Sequence, residues 1–231
     1  MKDFTLRTIT GSVYVVLMLA GTAFHPLIYA LVFVFTLFLV QLEFYKLVEH
    51  LDYCPHKTIG LILGLLTFFI CFGIGYNVIS VNFSLLVIPF LTLIFLFEIL
   101  RNESKVHQNA TITLAGYIYI AVPFSLLNFI VFSEFPSTST FNPSTLIGIF
   151  FIVWVYDSVA YLVGSKWGKH KIHKKISPRK TWEGFIAGAV FGMIMGIINA
   201  VIFQRLSLAG WAVTAGIIIL FGTLGDLFES K

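Results

Sequence analysis

The stretch Trp182-Glu-Gly-Phe-Ile-Ala-Gly-Ala-Val-Phe-Gly-Met-Ile-Met-Gly-Ile-Ile-Asn-Ala-Val-Ile-Phe203 carries no charged side chain after Glu183. At a helical rise of about 1.5 Å per residue, the run from Gly184 to Phe203 extends about 30 Å, the thickness of a bilayer's hydrocarbon core. It reads as a membrane-spanning helix. Similar apolar runs lie near 9–24, 27–47, 58–75, 79–100, 109–133, 145–164 and 208–229, separated by breaks such as His25-Pro26, Leu51–Lys57 and Ser165–Thr181. The expectation is an all-α, polytopic integral membrane helical bundle of about eight transmembrane helices, with 1–231 as a single transmembrane domain. Composition agrees: the 231 residues are 58% hydrophobic and 11% charged, whereas soluble domains carry about 25% charged residues. So few charges cannot cover a water-facing globule. The first run follows Met1-Lys-Asp like a signal-peptide core, but seven further spans favour a retained helix. Cys54 in a polar loop and Cys71 in an apolar run suggest two thiols rather than a disulfide framework.

Lysine and arginine collect in the short cytoplasmic loops of membrane proteins. With the N-terminus inside, Lys2, Arg7, Lys46, Lys57, Arg101, Lys105, the seven basic residues of 166–180 and Lys231 fall on the cytosolic side. Only Arg205 of the 15 basic residues falls outside. A multi-pass protein of the inner membrane with a cytosolic N-terminus is expected.

Acids inside a bilayer are costly and need a reason to be there. On this topology Glu43, Glu98, Asp157, Glu183, Asp226 and Glu229 all lie in the cytosolic halves or at the cytosolic ends of their helices. Glu43 and Glu98 read as ordinary interfacial residues. Asp157 sits about two turns inside its span, sharing a helical face with Tyr161, Gly164 and Ser165. Asp226 shares one with Glu229 and Ser230. Such oxygen-rich faces suit a cation like Mg²⁺, which takes one or two carboxylates together with substrate phosphates. The competing reading is interhelical hydrogen bonding, or salt bridges to the basic loop.

That loop, 165–181, ends in Ile176-Ser-Pro-Arg-Lys-Thr181 just before the quoted helix. Its charge would orient the protein and touch anionic lipid whatever else it did. A Ser or Thr ahead of a helix also caps free N–H groups, and a helix N-terminus favours anions. A phosphate-bearing ligand would meet backbone donors, hydroxyls and cations together there. The loop is too short and too close to the membrane for nucleic acid. Gly184, Gly188, Gly192 and Gly196 recur every fourth residue. Such a stripe lets a second helix approach closely, either from this chain or from a second subunit of a homodimer.

Ile176-Ser-Pro-Arg-Lys-Thr-Trp-Glu-Gly184, with Asp157-Ser-Val-Ala-Tyr-Leu-Val-Gly164 before it and Gly225-Asp-Leu-Phe-Glu-Ser230 after it, resembles the phosphatidate cytidylyltransferases, the bacterial CDP-diacylglycerol synthases. Arg7-Thr-Ile-Thr-Gly11 is more weakly similar to that family's start. The resemblance implies transfer of CMP from CTP to phosphatidate in the membrane, with release of pyrophosphate and dependence on Mg²⁺ or another divalent cation. It implies Asp226 and Glu229 as metal ligands and Asp157, Asp226 and Lys180 as catalytic residues. Lys169, Ser177, Arg179, Lys180 and Thr181 would bind substrate phosphates. In that family the segment opening at Glu229-Ser230 continues through basic pairs and further aspartates, so the acids completing the metal site are expected beyond Lys231. Residues 1–231 are accordingly expected to insert in the membrane with little activity of their own. A non-catalytic lipid-binding or assembly role is the alternative. A transporter would string polar groups across the whole bilayer, whereas these acids keep to one face and no internal repeat is visible.

Overall fold

The computed structural model describes residues 2–51, 53–100, 105–133, 140–173 and 177–229, and their side chains except those of 2–10, 12, 133, 178, 228 and 229. Long apolar helices dominate, as the composition requires. Contacts gather into two compact units, residues 1–143 and 144–231.

The first unit contains helices α1 (Lys2–Ala23), α2 (Pro26–Glu49), α3 (Lys57–Gly75), α4 (Val87–Leu100, entered through a 3₁₀ turn at Val81–Leu86), α5 (Val106–Gly116) and α6 (Val122–Val131). A short hairpin pairs β1 (Phe132–Ser133) with β2 (Thr140–Phe141). Helix α2 starts where Pro26 fixes the first turn and His25 Nδ1 accepts the Leu27 N–H at 3.2 Å. Every fourth residue of α2, from Tyr29 through Phe33, Leu37 and Gln41 to Tyr45, is buried. Backbone and side-chain polar groups here must find protein partners, because lipid offers none. Gln41 Nε2 accordingly donates to the Gly60 carbonyl (2.9 Å), and Tyr45 Oη donates to the Thr113 carbonyl (2.9 Å). Between α5 and α6 the helix widens into a π segment at Tyr117–Ala121. Pro123 follows two residues after the segment ends and has no N–H to give the preceding turn, a recognised cause of local rewinding.

The second unit contains α7 (Ser144–Trp167), β3 (Lys171–His173), β4 (Ser177–Thr181), α8 (Trp182–Phe203) and α9 (Leu208–Glu229). The segment 165–181 is therefore more ordered than a loop. Helix α7 runs on to Trp167, and an antiparallel hairpin aligns Lys171 with Thr181 and His173 with Ser177. Helix α8 begins at its Thr181 cap and ends at Gln204, whose φ of 49° is left-handed. The glycine stripe of α8 is filled from within the chain. A Cβ at Gly184 would stand 2.6 Å from the Ala160 carbonyl oxygen of α7, and one at Gly196 3.1 Å from the Trp211 carbonyl oxygen of α9. Asn199 Nδ2 ties α8 to α7 by donating to the Gly148 carbonyl at 2.9 Å. The outward face of α8, with Ile186, Val190, Phe191, Ile194, Ile197 and Val201, is exposed. It is a face for lipid.

Seven helical stretches among the described residues are long and apolar enough to cross a membrane. They match the expected spans from 27–47 onward to within a few residues. The first differs. Helix α1 extends to Lys2, and its apolar part is the shorter Val13–Ala23. Polar residues Asp3, Thr5, Arg7, Thr8 and Thr10 occupy its opening turns.

Candidate active site

One end of the second unit encloses a cavity of about 700 Å³. Helix α7 supplies Tyr156, Asp157, Ala160, Tyr161, Gly164 and Ser165 to its wall. The hairpin contributes Lys171, Ile172, Ser177, Arg179, Lys180 and Thr181, while α8 adds Gly184 and Phe185 and α9 adds Thr223 and Asp226. The arrangement follows from local chemistry. Gly164 and Gly184 let α7 and α8 close on one another at the cavity floor, where a Gly184 Cβ would lie 3.1 Å from the Gly164 Cα. Thr181 Oγ1 accepts the Gly184 N–H at 3.2 Å, capping α8. Its hydroxyl hydrogen remains available to donate.

Asp226 and Lys180 meet across the cavity, Oδ2 to Nζ at 2.5 Å. Asp157, on the α7 wall, lies within electrostatic reach of both. The salt bridge weighed from sequence as the plainer use of these acids is thus present, in the same cavity as the residues expected to carry chemistry. Helix α9 is held in register by Tyr156. The Thr223 hydroxyl gives its one hydrogen to the Ile219 carbonyl (2.7 Å), so Tyr156 Oη is the donor in its 2.5 Å bond to Thr223 Oγ1. Thr223 lies about one turn before Asp226 on the same helix, so this bond ties α7 to α9 close to that carboxylate.

The cavity is chemically two-sided. Lys171, Arg179 and Lys180 with the Ser177 and Thr181 hydroxyls offer donors and positive charge to an anion, while Ala160, Tyr161, Ile172 and Phe185 offer apolar surface. Two carboxylates facing this donor-rich space supply hard oxygen ligands for a divalent cation that would share substrate phosphates. Among the described residues no group of three or more His, Cys, Asp or Glu side chains is placed to hold a metal ion. A match to the model of the cytidylyltransferase family covers residues 5–231.

The chain belongs to the cytidylyltransferase family.

Curated relatives are consistent. The phosphatidate cytidylyltransferase of Staphylococcus saprophyticus is 43% identical over 83 residues, 35% of this chain and 32% of the relative. That of Staphylococcus aureus is 36% identical over 118 residues, 50% of this chain and 44% of the relative. That of Haemophilus influenzae is 38% identical over 91 residues, 37% of this chain and 31% of the relative. The chain thus spans less than half the length of the curated cytidylyltransferases it matches.

In this member of the family, the cavity brings together Asp157, Ser177, Arg179, Lys180, Thr181 and Asp226, six of the residues singled out from sequence. Lys169 stands apart from its wall, exposed, with its backbone N–H donating to Glu183 Oε2 at 3.1 Å. The Glu229 side chain lies outside the described residues. Lys171, Tyr156 and Thr223 were not singled out from sequence. Lys171 is one of seven cations in its segment, and only the strand assignment distinguishes it from its neighbours.

Proposed function

We propose that this protein catalyses cytidylyl transfer from CTP to phosphatidate, giving CDP-diacylglycerol and pyrophosphate. The observation that carries the reading is the Lys180–Asp226 pair, sharing one cavity with Asp157, Lys171 and Arg179 in a chain of this family. An oxygen of the lipid phosphate attacks the α-phosphorus of CTP. A new P–O bond forms, the bond to the bridging α–β oxygen breaks, and pyrophosphate leaves with that electron pair. The attacking oxygen is already anionic at neutral pH, so no strong base is needed.

The barrier is largely the repulsion of two anions, and catalysis consists of neutralising and aligning them. Arg179, with its planar fork of donors, and the ammonium groups of Lys171 and Lys180 draw the phosphates into the cavity. Ser177 and Thr181 add hydroxyl donors, and Lys169 strengthens the positive field at the rim. Mg²⁺ would be held by Asp226 with Asp157 in support, and with Glu229 as an expected further ligand. It would neutralise charge on the phosphate oxygens. The apolar wall formed by Tyr161 and Phe185 accommodates the lipid side of the substrate, which enters between helices.

The charge asymmetry of the loops supports a cytosolic N-terminus and a cavity open to cytosolic CTP, in the inner membrane of a bacterial cell. Labelling of intact cells should modify a cysteine placed at Ser137 and spare one at Lys174, two positions outside the described residues. Protection of the first with labelling of the second would invert the topology. For the reaction itself, a version extended to the length of the matched relatives and purified in detergent should convert CTP and phosphatidate to CDP-diacylglycerol and release one pyrophosphate per product, with residues 1–231 by themselves much slower. Pyrophosphate release that ignores phosphatidate would overturn the proposal.

A further inference from the structure

Glu183 does not line the cavity, although it lies two residues from Thr181 and carries the first acid of α8. It faces the other way, toward the root of the basic hairpin. Its Oε2 accepts the Lys169 N–H at 3.1 Å, and both its oxygens accept the His170 N–H, at 3.1 and 3.2 Å. Its Oε1 lies 2.6 Å from His170 Nδ1. A carboxylate can only accept, so His170 Nδ1 bears the hydrogen of that contact. The same residue is pinned from its other side, where the His170 carbonyl accepts the Trp182 N–H at 2.9 Å. Gly168 closes the corner, with its N–H donating to the Gly164 carbonyl at 3.2 Å. Residues 168–170 are therefore stitched to the start of α8 by one carboxylate, and Lys171 enters the cavity wall immediately afterwards.

We infer that Glu183 is a positioning residue: it clamps the root of the β3–β4 hairpin so that Lys171, Arg179 and Lys180 stand where the anionic substrate meets them. The inference rests on the cytidylyl-transfer reading for its kinetic consequence and on the contacts alone for its structural one. The carboxylate is well placed for the task. It sits in the first turn of α8, where the helix dipole favours negative charge, and it gathers three donors from Lys169 and His170 beside the Trp182 bond. A side chain in this role shapes substrate affinity without touching the reacting atoms.

The test compares Glu183→Ala and Glu183→Gln with the parent protein in two measurements. Steady-state kinetics should show the KM for CTP rising roughly tenfold or more in Glu183→Ala, the scale of losing charge-assisted hydrogen bonds, with kcat changed far less. Glu183→Gln keeps the volume and one acceptor oxygen, and should fall between the two. Limited trypsin digestion in detergent should cut after Lys169 and Lys171 faster in Glu183→Ala than in the parent, with Glu183→Gln again intermediate. A collapse of kcat at unchanged KM would overturn the inference in favour of a direct part in the chemistry. Unchanged digestion in both variants would overturn it as well, because the hairpin root would then not depend on this carboxylate. The digestion result stands even if the protein turns over no CTP, which would count against the cytidylyl-transfer reading instead.

Discussion

Replacing Asp226 by Asn should lower metal-dependent turnover by roughly two to three orders of magnitude, the range seen when one strong electrostatic contact to a transition state is removed. The substitution keeps the volume of the side chain and removes its charge. Two consequences follow together. The proposed cation would lose a ligand in a cavity where Asp157 is the other described carboxylate on the wall, and Lys180 loses the partner that lies 2.5 Å from its ammonium group. The Mg²⁺ concentration giving half-maximal rate should therefore rise as kcat falls. Glu43→Gln, an exposed acid on α2 in the other unit, serves as the control for a simple change of surface charge. Near-normal activity of Asp226→Asn with an unaltered Mg²⁺ response would remove Asp226 from the metal site.

Lys180→Ala should cost about a hundredfold in kcat/KM, since a partly buried cation facing transferring phosphates is worth several kilocalories in a water-poor site. Its loss also takes from Asp226 the ammonium group 2.5 Å away and leaves the cavity less positive toward incoming anions. Both effects act in the same direction. Lys180→Arg restores charge but not shape, since a planar fork replaces a point charge, and should recover only part of the activity. The double variant Lys180→Ala/Asp226→Asn decides whether the pair acts as a unit. Removing both charges should cost less than the product of the single effects, because each single variant strands its partner. Strictly multiplicative losses would show that the two groups act independently and that their contact is incidental.

The spans were legible because a lipid-facing helix has almost no alternative to an unbroken apolar run. Trp182–Phe203 and Leu208–Glu229 fall where the hydropathy places them. The first span was less so, because its polar opening turns are helical without being apolar, and hydropathy records only the second property. The β3–β4 hairpin was hidden for the opposite reason. Its residues are chosen for charge, so neither alternation nor β-branched content marks it, and a run such as Lys169-His-Lys-Ile-His173 looks like loop. Choosing Lys169 over Lys171 as a phosphate ligand was a consequence: without the strand, nothing separates cations two residues apart. Asp157 and Asp226 stand out because acids within apolar spans are rare, whereas Lys180, one of seven cations in its segment, is marked only by the Ser-Pro-Arg-Lys-Thr motif of the family it resembles. Tyr156 and Thr223 do not stand out, since a hydroxyl that ties two helices together looks in sequence like any other hydroxyl in an apolar span.

The cavity wall is drawn from a continuous portion of the chain, from Tyr156 to Asp226, and this has a bearing on how the protein is made. Ribosomes deliver residues at roughly 5–20 per second, so Asp157 enters the bilayer seconds before Asp226 exists. Lys180 is synthesised between them. The second acid of the cavity is therefore added to the chain only after the cation it pairs with. Synthesis from the N-terminus alternates the sign of charge along this wall, acid, base, acid, so that Asp226 has its counter-charge already made when it joins the bundle.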